Sequence, residues 1–94
     1  MNEIIEINQE ELEKIRQEAG TTLVDIRETL EFQDFNIGGI NIPAHLINEN
    51  TEVLKPFAQL ILVCSNGTRS AILTRVFQKK FPDKRIFHLS EGIF

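Results

Sequence analysis

Leu60-Ile61-Leu62-Val63-Cys64-Ser65-Asn66-Gly67-Thr68-Arg69-Ser70 leaves the chain few ways to fold. Four apolar residues run straight into the chain's only cysteine. That run is too short for a helix and reads as a buried strand. A polar loop with one glycine follows, and Thr68 to Lys80 then carries a helical pattern. Its expected apolar stripe is Ala71, Ile72, Val76 and Phe77, with Leu73 beside it. Cys64 therefore stands where a strand ends and a helix begins. The N–H groups of a loop curling into a helix N-terminus face its centre and favour negative charge. A thiol there ionises more easily, because its thiolate is the anion being stabilised.

The rest of the chain alternates in the same way. Glu3 to Ile7 is a strand candidate. Asn8 is a helix N-cap, with Glu11 in capping-box position, and the helix is expected to run to about Glu18 and bury Leu12 and Ile15. Gly20 is placed to end it. Leu23 to Ile26 is a second strand, and Glu28 to Asp34 a short helix. Gly38-Gly39 is a turn, and Ile40 to Ile42 a short strand that Pro43 stops. Asn48 to Thr51 reads as a polar loop, and Glu52 to Ala58 as one or two helical turns. Phe81-Pro82-Asp83 is a turn, and Arg85 to Leu89 the last strand. Strands alternating with helices predict an α/β layer fold with a largely parallel sheet of about four or five strands. Such folds place their site at the carboxyl ends of the strands, where Cys64 and Asp25-Ile26-Arg27 fall.

Composition narrows the chemistry. A chain of 94 residues is expected to form one domain, residues 1–94. A single cysteine excludes an internal disulfide and a zinc site built on several thiolates. The net charge of −4 argues against a nucleic-acid partner. No apolar run reaches membrane-spanning length and the acidic N-terminus is not that of a signal peptide, so a cytoplasmic protein with no membrane association is expected.

Three stretches together carry a resemblance to a single-domain rhodanese, a member of the rhodanese-like sulfurtransferase family. Leu23-Val24-Asp25-Ile26-Arg27-Glu28 resembles the family's hydrophobic-Asp-hydrophobic-Arg-Glu segment. Ile37-Gly38-Gly39-Ile40-Asn41-Ile42-Pro43 resembles its Ile-x-Gly-Ala-Ile-Asn-Ile-Pro segment, one residue tighter. Val63-Cys64-Ser65-Asn66-Gly67-Thr68-Arg69-Ser70 resembles the signature Cys-x-x-Gly-x-Arg-Ser. The resemblance implies a rhodanese-like three-layer fold, with the family's C-terminal helix short or absent after Glu91-Gly92-Ile93-Phe94. It implies no cofactor and no metal.

It also implies a reaction. The Cys64 thiolate takes a sulfane sulfur from a donor such as thiosulfate or a protein persulfide, and an acceptor nucleophile removes it. The expected partners are a small sulfur donor or acceptor, or a protein sulfur carrier. The expected anion-binding loop is Ser65, Asn66, Gly67, Thr68, Arg69 and Ser70, its N–H groups holding the persulfide by charge-assisted hydrogen bonds. Gly67 suits a position of positive φ or close approach. Asp25 and Arg27 are expected to support the site, Asp25 by accepting backbone N–H groups and Arg27 by pairing with Glu31 or Glu28. His45 and His88 are read as surface residues. A Cys-based phosphatase loop is one residue longer than the four-residue interval between Cys64 and Arg69, which disfavours that chemistry. The alternative to the enzyme is a non-catalytic interaction module on the same fold.

Overall fold

The computed structural model describes residues 4–94. Five parallel strands form one sheet: β1 (Ile4–Ile7), β2 (Thr21–Asp25), β3 (Ile40–Asn41), β4 (Gln59–Val63) and β5 (Arg85–Leu89), in the spatial order β1-β5-β4-β2-β3. Three helices accompany them: α1 (Gln9–Ile15), α2 (Thr29–Asp34) and α3 (Thr68–Lys80). The fold is the expected α/β sheet with helices, and every strand pair is parallel. Glu3, the expected first residue of β1, lies outside the described residues.

β4 is central, and all five of its residues are buried. A strand covered on both faces reads as a continuous apolar run rather than an alternating one, which is why Leu60 to Val63 has no polar interruption. Leu60, Leu62 and Cys64 point to one face, where Phe77 of α3, Ile47 and Leu54 cover them. Ile61 and Val63 point to the other, against Leu12 of α1, Leu23, Leu89 and Ile93.

Several elements differ from expectation. The α1 capping box forms: Asn8 Oδ1 accepts from the Glu11 N–H at 2.8 Å, and Glu11 Oε1 from the Asn8 N–H at 3.0 Å. The helix stops at Ile15, because Gln17 and Glu18 donate back to Lys14 and Ile15 in tighter three-residue turns. The presumed loop around Asn48 and the turns after it are two 3-10 segments, Ala44–Glu49 and Thr51–Leu54, each anchored by one buried side chain, Ile47 and Leu54.

The expected α3 stripe holds at Phe77, with Leu73 half-buried beside it, and fails at Ala71, Ile72 and Val76. The buried side chains are Ser70, Thr74 and Phe77, while Ile72 is 65% exposed and Val76 37%. Ser70 is held against the Cys64 sulfur, and this sets the rotation of the helix. Positions four and seven residues further on then face inward. No helix among the described residues is long and apolar enough to cross a membrane. Residues 90–94 carry no helix.

Candidate active site

Cys64 follows β4 directly and is buried. Its Sγ lies 3.2 Å from the Gly67 N, 3.3 Å from the Ser70 N and 3.3 Å from Ser70 Oγ. A thiolate only accepts, so in the ionised state the Ser70 hydroxyl is a donor to it. Burial by itself pushes the thiol pKa up. The Ser70 hydroxyl and the N–H groups of Ser70, Gly67 and Asn66 outweigh burial and hold it below its ordinary value.

Not every amide of the loop joins this cradle. The Thr68 N–H donates to Asn66 Oδ1 at 3.0 Å, an Asx-type turn that shapes the loop from outside. Gly67 has φ +87°, and a Cβ there would overlap the Ser90 carbonyl. Gly92, φ +77°, lies equally tight against Ser65 and Asn66. The Ile93 N–H donates to the Cys64 carbonyl at 3.0 Å and the Phe94 N–H to the Ser65 carbonyl at 3.3 Å. Residues 90–94 therefore act as a strap that closes the loop from one side.

The charged residues sort into two closed pairs. Arg69 reaches away from the sulfur to α2, making two parallel bonds to Glu31 at 3.0 and 3.1 Å, with a third to Ser65 Oγ at 3.2 Å. The hydrogen bond from Arg69, with a second from the Glu28 N–H, brings the Glu31 carboxyl down to about 2. Arg27 does not pair with Glu31 or Glu28, as expected from their spacing. It folds back onto Asp25, with Nη2 at 2.8 Å and Nε at 3.0 Å, and both side chains are fully buried. Asp25 Oδ1 also accepts the Arg27 N–H at 3.1 Å, so Asp25 does accept a backbone donor, that of Arg27 itself. Arg27 Nη2 further holds the Phe35 carbonyl at 2.6 Å, and Asn41 donates to the carbonyls of Asp25 and Arg27. The group as a whole ties the ends of β2 and β3 to α2.

His88 was expected at the surface and is buried, with 3% exposure. Its Nε2 lies 3.1 Å from the Gly67 carbonyl. A carbonyl only accepts, so Nε2 carries the proton. The bond fixes the Gly67–Thr68 peptide, which directly follows the amide that serves Cys64. The sequence shows the strand and the sheet supplies the burial: β5 lies between β1 and β4, and an interior strand of a parallel sheet buries both faces. His45 is exposed, 3.6 Å from Glu28. A groove of about 530 Å³ lies beside β1 and α3, lined by Ile4, Glu6, Ala71, Thr74, Arg75 and His88. Cys64 is not among its walls. Among the described residues no three His, Cys, Asp or Glu side chains gather into a metal set.

The class defined here is an open parallel α/β sheet with a cysteine-bearing loop at the carboxyl end of its central strand, the sulfur cradled by amides of that loop and of the following helix. The chain belongs to the rhodanese-like family: the Rhodanese-like domain matches residues 8–94. Among curated proteins, none matches the sequence significantly. Among solved structures, reduced CoADR-RHD of Bacillus anthracis superposes with a TM-score of 0.80 at 23% identity, over 95% of this chain and 16% of that one. The chain thus spans a small part of that longer protein. A rhodanese-related protein from Thermoplasma volcanium gives 0.78 at 24% identity, over 95% of this chain and 86% of that one. A Staphylococcus saprophyticus protein gives 0.75 at 24%, over 95% and 89%. At these identities the likeness establishes the fold.

Proposed function

We propose that the protein is a sulfurtransferase that carries a sulfane sulfur on Cys64. The thiolate forms a bond to the outer sulfur of a donor, and the rest of the donor departs with the electron pair of the broken bond. An acceptor nucleophile then attacks the outer sulfur of the Cys64 persulfide and regenerates the thiolate. The observation that carries this reading is the cradle: the Gly67 N–H, the Ser70 N–H and the Ser70 hydroxyl all within 3.3 Å of Sγ. The two amides already point at the sulfur and stabilise the anion without reorganising. The hydroxyl, which accepts from the thiol and donates to the Gly67 carbonyl at 3.4 Å, turns to the sulfur on ionisation. In this reading Gly67 and Ser70 hold the charge, with a smaller share from the Asn66 N–H. Ser65, Asn66, Thr68 and Arg69 shape the loop. Asp25 and Arg27 brace the strand ends beneath it. The donor and acceptor are small molecules or protein sulfur carriers.

The second reading, an interaction module without catalysis, draws on the complete burial of Cys64 and on the pairing of both nearby arginines. Intact mass separates the two. The purified protein is incubated with thiosulfate, and separately with a cysteine-desulfurase system. Gain of one sulfur atom, removed by reductant and lost in Cys64→Ser, is the expected result. No gain from either donor on folded protein with a free thiol favours the module.

A further inference from the structure

The identity of the donor is written in the charge around the loop. Arg69 is the cation nearest the cradle in sequence, yet both of its terminal nitrogens are engaged by Glu31. The two side chains are 43% and 38% exposed, so an incoming donor meets both. Glu31 is fixed from its other side as well, since Oε1 accepts the Glu28 N–H at 3.0 Å within the α2 capping box. Its carboxyl, brought down to about 2 chiefly by the Arg69 hydrogen bond, is ionised at any working pH. Arg27 is closed onto Asp25 and buried. A dianion approaching the loop therefore meets a neutralised pair instead of a bare guanidinium. To use Arg69 it must displace a carboxylate and then remain beside it.

A thiol persulfide makes no such demand. It brings at most one charge on the transferable sulfur, which the loop amides suit, and an organic body that needs a surface. The rim offers one. Phe94 is 77% exposed and Phe35 45%, their ring centroids are 5.4 Å apart, and the Phe94 N–H is bonded to the Ser65 carbonyl.

We propose that Glu31 is a specificity-determining residue: by holding Arg69 it turns the loop away from dianionic donors such as thiosulfate and toward thiol persulfides. The assignment rests on the sulfur-transfer reading. The two loading steps balance as follows. With thiosulfate, the Cys64 thiolate forms a bond to the outer sulfur, the S–S bond breaks, and sulfite leaves with its electron pair. With a persulfide RSSH, the same bond forms, RS leaves with the electron pair, and the proton of RSSH ends on it as RSH.

The test is Glu31→Gln, which keeps an acceptor oxygen for the Glu28 N–H and removes the charge. The ratio of kcat/KM for thiosulfate to that for glutathione persulfide should rise about tenfold, the worth of one freed hydrogen bond to a charged group. The rise should vanish in Glu31→Gln/Arg69→Met, because it acts through Arg69. Alkylation supplies a readout that needs no sulfur transfer: the rate ratio of anionic iodoacetate to neutral iodoacetamide at Cys64 should rise in Glu31→Gln in the same way. Unchanged ratios in both assays, or a gain that survives loss of Arg69, overturn the assignment. If neither donor loads the folded wild type, the sulfur-transfer reading and the donor class fall together. The alkylation ratio then reports on its own whether Glu31 screens Arg69.

Discussion

Ser70 shows how one side chain joins fold to chemistry. Its N–H and its hydroxyl both face Cys64 Sγ, and its burial fixes the start of α3. Removing the hydroxyl leaves the backbone donors in place and takes away the largest influence opposing burial. Ser70→Ala should therefore move the pH profile of Cys64 alkylation to higher pH. Its rate at neutral pH should fall about fivefold, while the plateau at high pH is kept. A profile unchanged from wild type would mean that the amides alone hold the thiolate. The local part of this site was legible in the sequence, because a strand, a glycine loop and a helix start lie within eleven consecutive residues. The charge partners were not. Helical spacing pointed Arg27 at Glu31, yet Arg27 leaves a strand and its own N–H already binds Asp25, so the guanidinium curls back. Glu31 was thereby left for Arg69, a partner 38 residues away that no local rule supplies.

Elements were legible in span and less so in orientation. α3 occupies Thr68–Lys80 and β5 Arg85–Leu89, as the pattern predicts. The inward face of α3 is legible at Phe77 and not at Ile72 or Val76, because apolarity alone carries no anchor. Once Ser70 is pinned to the sulfur, Thr74 and Phe77 must follow it inward, and Ile72 is turned to solvent. Stability measurements should separate the two patterns. Phe77→Ala should cost about 3–5 kcal/mol in urea unfolding, since the ring fills the core beneath β4. Ile72→Lys should stay within about 0.5 kcal/mol. Equal losses would return Ile72 to the buried face. His88 follows the same logic one layer down: the strand was foreseen and its burial was not, because burial depends on β1 and β4 lying either side of β5.

At the scale of the whole molecule, the strand order brings distant segments to one rim. β4 lies between β5 and β2, so Cys64 is flanked by the strap of residues 90–94 on one side and the Asp25-Arg27 brace on the other. The cradle is braced from outside the loop: the Gly67 carbonyl is held by His88, and Ser70 by the packing of α3. The cradle exists only while the chain is folded, so the charge on Cys64 is linked to global stability. The folded thiol lies below the unfolded value of 9.0, so in the interval between them the unfolded chain binds more protons. Stability from this group is fully present above 9.0 and is lost as pH falls through the folded pKa. Other groups titrate over the same range, and Cys64→Ser removes only this one. The difference in unfolding free energy between wild type and Cys64→Ser, followed by urea titration under reductant from about pH 6 to about pH 10, should rise and then level off. A flat difference would mean that the thiol meets the same balance of burial and hydrogen bonds folded as unfolded. The cradle would then be a packing arrangement with no hold on charge, and the sulfur-transfer reading would lose its physical basis.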